Sequence, residues 1–304
     1  MITRFRPLLS PPNSPADTPN FFKDIKFPQY LSPKVDGIRC LVQDDQCLSR
    51  TLKPIPSYQV QNEFAKPALC GLDGELVIGE PYAPGVYNLT QSHVMSRNKP
   101  GDLKFYVFDY IHDYNQYEPY HERKRMMELN VEAYKSPDVI VLEQKLAHNL
   151  DELLAYEEKQ LELGYEGIMI RNPVAPYKMG RATYRENIIR KLKRFNDEEG
   201  VIVDILEGYL NDNPQERNEL GYAKRSEHKA NKRLSGMVGK FIVLYKGVEI
   251  EVAPGYFTHA QRKIIWEMKE LYINRILKFR YFAYGVKDLP RFPRALGFRD
   301  AMDL

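Results

Sequence analysis

With 304 residues, 43% of them apolar and 28% charged, the chain has the balance of a soluble globular protein and room for one large domain or two ordinary ones. It has no run of about 18 apolar residues, which excludes a spanning helix. Met1-Ile2-Thr3-Arg4-Phe5-Arg6 lacks the apolar core of a signal peptide, so an intracellular, soluble protein without membrane attachment is expected. Cys40, Cys47 and Cys70 have no CxxC spacing, which argues against a disulfide framework and a four-cysteine zinc site. The net charge of +3 names no partner, but its distribution is uneven. Between Leu220 and Gly236, Lys224, Arg225, Lys229, Lys232 and Arg233 face one carboxylate, Glu227, and the C-terminal quarter is rich in arginine and lysine. That asymmetry suits a phosphate-backbone binder.

Residues 1–31 read as an irregular lead-in rich in Pro and Asn. Ser32-Pro33-Lys34-Val35-Asp36-Gly37 then fixes one lysine between a proline and an Asp-Gly turn, and Ile38-Arg39-Cys40-Leu41-Val42 leaves the turn as a strand. Taken alone, Lys34 is as readily a surface lysine of a hairpin as a reactive group. Cys47 to Arg50 begins a second strand, and Leu72 to Ile78 reads as a buried strand interrupted by an acidic turn at Asp73-Gly74-Glu75. Leu103 to Ile111 is an aromatic, β-branched strand. Asp151 to Leu163 is a helix closed by Gly164, followed by the strand Gly167-Ile168-Met169-Ile170-Arg171, entered through Glu166-Gly167. Ile188 to Arg194 alternates so that Lys191 and Lys193 share a face.

Near Phe195 the character changes to short strands (200–206, 238–245, 248–252, 276–282), a polar insertion at about 209–236 and a helix over 258–271 opened by Thr258 and Gln261. That pattern predicts a small Greek-key barrel of the oligonucleotide-binding (OB) type. The expected division is therefore 1–194 and 195–304.

A lysine with an ordinary pKa of about 10.4 is protonated near neutrality, so attack on phosphorus requires neighbouring cations or a metal ion. Arg39, Lys191 and Lys193 supply such a field, which also suits a triphosphate. Glu75 and Glu166 suit a sugar hydroxyl or Mg²⁺, and Phe108 suits stacking on a base. Each has a bland alternative: a turn carboxylate, the solvent face of an edge strand, a core ring. The chemistry does not choose ATP over another nucleotide.

In this order, Lys34-x-Asp-Gly-x-Arg39, Asp73-Gly74-Glu75, Phe105 to Asp109, Glu166 to Arg171 and Lys191-x-Lys193 resemble the motifs of the covalent nucleotidyltransferases, above all ATP-dependent DNA ligases of the small viral type. Leu48 to Ile55, Pro176 to Thr183, Gly221 to Ser226 and Pro290-Arg291-Phe292-Pro293 extend the likeness from about Pro28 to Arg299. The resemblance implies an α+β fold, an adenylation domain of antiparallel sheets (ATP-grasp-like) followed by an OB-fold barrel. It implies a monomer that seals nicks in duplex DNA with ATP and Mg²⁺ or Mn²⁺, through a lysyl-AMP at Lys34 and then a DNA-adenylate. By similarity Glu75 and Arg39 hold the ribose, Phe108 stacks on adenine, Arg50 contacts nucleotide or nick phosphate, and Lys191 and Lys193 sit on the α-phosphate. Glu166, with Glu75, is the metal candidate, and Arg291 and Arg299 contact the triphosphate. The insertion at 209–236 corresponds to a DNA-clamping latch, making Arg50, Arg181, Lys224, Arg225, Lys229, Lys232 and Arg233 the expected DNA contacts. Relatives often follow the last arginine with an acidic-Asp-Lys string, where this chain reads Asp300-Ala301-Met302-Asp303-Leu304. The alternatives are an RNA ligase, a capping-type nucleotidyltransferase, or a non-catalytic duplex binder. NAD use is disfavoured by the 33 residues before Lys34 and the scattered cysteines.

Overall fold

Strict alternation makes Leu103–Tyr110 the simplest strand to explain: every second residue is buried and the intervening ones are only partly so. The computed structural model describes residues 5–11, 21–217, 223–226, 231–284 and 289–299, in two compact units divided between Arg194 and Phe195. In the first unit, β1 (Leu8–Leu9), β2 (Gln29–Pro33), β3 (Ile38–Gln43) and β4 (Gln46–Leu48) lead to α1 (Tyr58–Phe64), β5 (Leu72–Ile78), α2 (Val86–Val94) and β6 (Leu103–Tyr110). Then come α3 (Tyr120–Tyr134), β7 (Val139–Val141), β8 (Lys145–Ala147), α4 (Leu150–Glu162), β9 (Gly167–Arg171), β10 (Gly180–Arg181) and β11 (Ile189–Lys193). They build a five-stranded sheet ordered β4-β3-β5-β6-β7 and a four-stranded sheet ordered β11-β9-β2-β8. All of their pairings are antiparallel except β6 with β7.

The core follows the sheets. Cys40, Val42, Leu72, Leu76, Phe105 and Val107 pack with Val60 and Phe64 of α1 and Met127 of α3. Leu31, Ile168, Ile170 and Leu192 pack with Leu153 and Tyr156 of α4. α4 begins one residue earlier than expected because Asn149 caps it, its side chain accepting the Glu152 N–H. The interruption expected at Asp73-Gly74-Glu75 is absent: β5 runs unbroken from Leu72 to Ile78, and Asp73 and Glu75 share one face. Gly37 does sit where a turn approaches a strand. A Cβ there would lie 2.2 Å from the Leu76 carbonyl oxygen. Gly167 has φ +146°, and a Cβ would lie 2.1 Å from the Leu192 carbonyl, so β11 could not come alongside.

The described residues of the lead-in are more ordered than its composition suggests. β1 pairs in parallel with β10, the Leu8 N–H donates to the Tyr177 hydroxyl at 3.0 Å, and the Phe5 backbone exchanges two hydrogen bonds with the Gln43 amide. Helix α3 is absent from the sequence-based expectation because its inward face holds Arg123 between Tyr120 and Met127, which breaks the apolar stripe. The completely buried Arg123 donates to Asp109, also completely buried, and Arg171 binds the same carboxylate at 2.7 Å. The two guanidiniums hold Asp109 below the ordinary carboxylate range in spite of its burial.

The second unit comprises β12 (Asn196–Asn211), β13 (Gln215–Arg217), β14 (Ala223–Arg225), β15 (Lys232–Tyr245), β16 (Val248–Val252), α5 (His259–Glu267), β17 (Ile276–Tyr284) and β18 (Pro290–Phe298). Five of the strands form a sheet ordered β16-β15-β12-β17-β18, wrapped around Phe241, Val243, Leu277 and Phe279. The expected barrel is not closed among the described residues: the sheet is open, and just beyond the end of β16 the chain meets β18 at an isolated parallel bridge between Ala253 and Arg294. Ala253 donates to the Pro293 carbonyl at 2.9 Å and accepts from Ala295, and the flanking prolines Pro254 and Pro293 have no N–H to extend the ladder. Thr258 and Gln261 form the expected capping box, though α5 ends at Glu267 and a 3₁₀ turn, Lys269–Leu271, follows. Among its described residues the polar insertion is largely strand: β12 and β15 stay paired out to Asn211 and Lys232, and β13 pairs with β14 beyond them. Among the described residues no helix is long and apolar enough to cross a membrane.

Asp109→Asn would leave two buried guanidiniums without their carboxylate. It is expected to destabilise the first unit by about 3–5 kcal/mol, measurable as a lower denaturant midpoint for that unit.

Candidate active site

Strand register places the reactive groups before any side chain is considered. In the four-stranded sheet, Tyr30 lies opposite Arg171 and Arg171 opposite Ile189; Ser32 lies opposite Met169 and Met169 opposite Lys191; Gly167 lies opposite Lys193. The Lys34 N–H continues the ladder by donating to the Gly167 carbonyl at 2.9 Å. Three rows therefore step along one face, about 6.6 Å apart: a lysine end (Lys34, Lys193), a middle (Ser32, Met169, Lys191) and a deep end (Tyr30, Arg171). The five-stranded sheet contributes Arg39 opposite Glu75 and Glu75 opposite Tyr106, with Phe108 one step further along β6.

Together they enclose a cleft of about 390 Å³ lined by Lys34, Arg39, Arg50, Glu75, Phe108, Arg181 and Lys191 among others. That is the size of a small-ligand site. Glu166 closes the lysine end. Its Oε2 lies 2.9 Å from Lys34 Nζ and also pairs with Lys193 Nζ, while the Lys34 and Glu166 side chains remain 20% and 15% exposed, open to an incoming group. Burial acts to lower the Lys34 pKa, but Glu166, Asp36 and Glu75 outweigh it and the ammonium is held above its ordinary value. Burial also works against Glu166 ionising, yet Lys34 and Lys193 take it down to about 2. Burial, reinforced by the charge of Lys34, lowers Lys191 and Lys193 to about 8. The cluster is a carboxylate inside a surplus of positive charge, suited to a phosphate chain.

Arg39 is fixed rather than free. It binds Asp73 with Nε at 2.5 Å and a terminal nitrogen at 2.6 Å, and also donates to the Leu8 carbonyl. Its guanidinium lies 4.6 Å from the centre of the Phe108 ring. Burial keeps Glu75 protonated up to about 7, against the pull of Arg39 and Lys34. A carboxyl poised there can donate or accept a hydrogen bond.

The other expected residues divide by unit. Arg181 reaches the cleft wall and donates to the Ser10 carbonyl at 2.8 Å. In the second unit, Arg299 donates to Glu199 at 2.8 Å and Arg233 binds Asp212 at 2.7 Å. Lys232 lies opposite Asn211, and the backbones of Lys224, Arg225 and Arg291 lie opposite Glu216, Gln215 and Phe282. Lys229 and residues 300–304 lie outside the described residues. As for Glu75 and Glu166 as metal ligands, no group of three or more His, Cys, Asp or Glu side chains converges among the described residues. The cluster fits only a hard cation held by a carboxylate together with phosphate oxygens and water, the usual mode of Mg²⁺.

The cleft also contains residues to which the sequence assigned no role: Leu8, Leu9 and Ser10 of the lead-in, Tyr120, Gln144, Met169 and Arg171. Met169 and Arg171 were legible as the same-face partners of the motif strand. Tyr120 and Gln144 carry no local signal, because each is a single residue in an unremarkable stretch.

Comparison with known proteins agrees with this geometry. The chain matches the model of the ATP dependent DNA ligase domain over residues 14–193 and that of the DNA ligase OB-like domain over residues 230–299. It is 26% identical over 243 residues to the DNA ligase of African swine fever virus (strain Badajoz 1971 Vero-adapted), covering 77% of this chain and 52% of that one. The chain thus spans about half the length of the curated relatives it matches. Among solved structures, the chlorella virus DNA ligase-adenylate is 32% identical with a TM-score of 0.54, over 98% of this chain and 100% of that one. A structure from an analysis of Lig E DNA ligases, at 22% identity and TM-score 0.69 over 91% of this chain and 95% of that one, shows the same fold. With one family model covering more than half of its length and a viral ligase matched from end to end, the chain belongs to the ATP-dependent DNA ligases, with a nucleotidyltransferase domain followed by an OB-like domain.

Proposed function

We propose that this protein joins a 5′-phosphate to a 3′-hydroxyl at a nick in duplex DNA, using ATP and passing through a lysyl-AMP at Lys34. The observation that carries this reading is Lys34 at the end of a nucleotide-sized cleft, paired with Glu166 and flanked by Lys191 and Lys193. In the first step Lys34 Nζ attacks the α-phosphorus. A P–N bond forms, the P–O bond to pyrophosphate breaks, and the ammonium gives up two protons to solvent or the leaving pyrophosphate, one before the attack and one from the new P–N nitrogen. The 5′-phosphate oxygen of the nick then displaces the lysine, and the 3′-hydroxyl displaces AMP with loss of its own proton.

The residues on the page divide this work. Lys191 and Lys193 neutralise charge on the α-phosphate, Arg39 and Glu75 hold the ribose, and Phe108 offers the base a ring. Pairing with Glu166 keeps Lys34 protonated and in place, so a phosphate chain arriving among the lysines competes with Glu166 for them and releases the nucleophile. A Mg²⁺ or Mn²⁺ ion held at Glu166 would supply further positive charge to the phosphates and favour the neutral amine. Arg50 and Arg181, at the cleft rim, are read as contacts to nucleotide or nick phosphate. Arg291 and Arg299 of the second unit are read as triphosphate contacts.

The strand pair β12–β15 and the hairpin β13–β14 are read as a latch on the duplex, through Lys224, Arg225, Lys229, Lys232 and Arg233. Phosphate contacts of this sort bind without regard to sequence. The protein is read as acting as a monomer.

With α-labelled ATP and a divalent cation, label is expected on the parent protein and absent from Lys34→Ala; label retained by the variant refutes the lysyl-AMP. Deleting residues 210–234 is expected to weaken binding of nicked duplex at least tenfold and leave lysine labelling within about twofold, the separation a latch requires. Glu166→Gln removes the charge that holds Lys34 protonated, so Lys34 should titrate at lower pH in that variant. Reaction of the lysine with a small amine reagent across pH 7–11 reads this, and an unmoved profile would show that the pair does not set its protonation.

A further inference from the structure

Arg39 offers the cleft only one of its three guanidinium nitrogens. Nε and Nη2 bind the two oxygens of Asp73 at 2.5 and 2.6 Å, and the second Nη2 proton goes to the Leu8 carbonyl at 3.3 Å. Nη1 has no hydrogen-bond partner among the described residues, so its two protons are what Arg39 can give to a ligand. Which edge of the guanidinium a ligand meets is therefore decided by where Asp73 and Leu8 stand. Leu8 belongs to β1, whose two edges are used differently. The Pro7 and Leu9 carbonyls accept from the Gly180 and Ala182 N–H groups at 3.2 and 2.8 Å, in the pairing with β10. Alternation turns the Leu8 and Ser10 carbonyls the other way, where Arg39 and Arg181 take them at 3.3 and 2.8 Å. On that same edge the Leu8 N–H donates to the Tyr177 hydroxyl at 3.0 Å.

Tyr177 thus joins both supports of Arg39. Its ring is buried with Phe5, Leu8, Ala175, Ile188 and Ile189. Its hydroxyl oxygen accepts from Leu8, and its one proton serves Asp73 Oδ2 or the Arg6 carbonyl, each at 3.2 Å. Burial and the Asp73 charge push the hydroxyl well above its ordinary pKa, so that proton is kept at neutral pH. The contacts close on themselves: Tyr177 to Leu8, Leu8 to Arg39, Arg39 to Asp73, and Asp73 back to Tyr177. A phenylalanine in that place would fill the same core and leave the circuit open.

We propose that Tyr177 is a positioning residue of the adenylation site, its hydroxyl holding the Leu8 backbone and Asp73 so that Arg39 presents Nη1 to the ribose. This rests on the cleft being the nucleotide site, with Arg39 on the sugar. Tyr177 itself does not line the cleft. It acts by denying the guanidinium the freedom to turn its other edges toward the ligand. A sugar hydroxyl is read only by a donor held at hydrogen-bond distance and angle, and a guanidinium fixed on two sides before the ligand arrives has already given up the rotations that binding would otherwise have to freeze.

Lysyl-nucleotide formation should be followed with ATP and its 2′-deoxy and 3′-deoxy analogues for the parent, Tyr177→Phe, Arg39→Lys and the double variant. The parent is expected to prefer ATP over at least one analogue about tenfold or more in kcat/KM, as a site built to bond a hydroxyl does. Tyr177→Phe should cut that preference about fivefold, the worth of one ordinary hydrogen bond. The effect must pass through Arg39. Arg39→Lys keeps a cation for Asp73 but has no Nη1, so it should lose the preference, and adding Tyr177→Phe should change it no further. The preference is a ratio within one protein, so partial loss of folded chain does not move it. Should Tyr177→Phe not fold, Leu8→Pro, which removes the N–H that Tyr177 accepts, tests the same bond from the other side and should show the same fall. An unchanged preference, or an equal fall in the Arg39→Lys background, overturns the proposal while the nucleotide cleft stands. A parent that uses both analogues as readily as ATP overturns the assignment of Arg39 to the ribose, and one labelled by no nucleoside triphosphate overturns the reading of the cleft itself.

Discussion

Two ammonium groups share one carboxylate at the mouth of the cleft, and the architecture of the first unit is organised to permit it. Lys34 leaves the end of β2, Glu166 precedes β9, and Lys193 ends β11. These three points are far apart in sequence and adjacent only because β2 and β11 flank β9 in one sheet. Charges brought out of water are costly unless paired and hydrogen-bonded. A net positive cluster kept partly open is stable without ligand because Glu166 offsets it, and it is unsatisfied enough to draw in a phosphate chain. The same pair that holds the Lys34 ammonium in position also keeps it protonated.

The rest of the cleft is held by buried ion pairs that touch the reactive groups only at second hand. Asp73 fixes Arg39, the Tyr177 hydroxyl supports Asp73 at 3.2 Å and accepts the Leu8 N–H, and the Leu8 carbonyl meets Arg39. On the other side Asp109 holds Arg123 and Arg171 beneath the Phe108 carbonyl. Such pairs contribute little net stability against well-packed apolar side chains. They give defined positions to groups that a hydrophobic core would leave free to rotate.

The second unit shows a related economy. Its strands β12 and β15 extend well past the apolar core, with Tyr209 and Leu234 opposite one another and exposed. A ladder satisfies its own backbone hydrogen bonds, so it can project into solvent without a core beneath it. Composition alone reads such a segment as loop, because most of its side chains are polar.

By itself the sequence determined the order of the chemistry: a lysine after Ser32-Pro33, glutamates at 75 and 166, a ring at 108, lysines at 191 and 193, and a change of character near Phe195. Those features are local, since a turn glycine, an alternating strand or a capping residue is specified by its immediate neighbours. Asp73-Gly74-Glu75 was misread as a turn for the same reason: the local glycine signal competes with a sheet that surrounds β5 on both sides. What required the tertiary structure was everything that depends on register and burial. The lead-in became a wall of the cleft because its backbone found partners near residues 177–182. Arg123 became a core residue because Asp109 is there to meet it. The shifted pKa values of Lys34, Glu75 and Glu166 exist only once charges distant in sequence share a space that water does not screen.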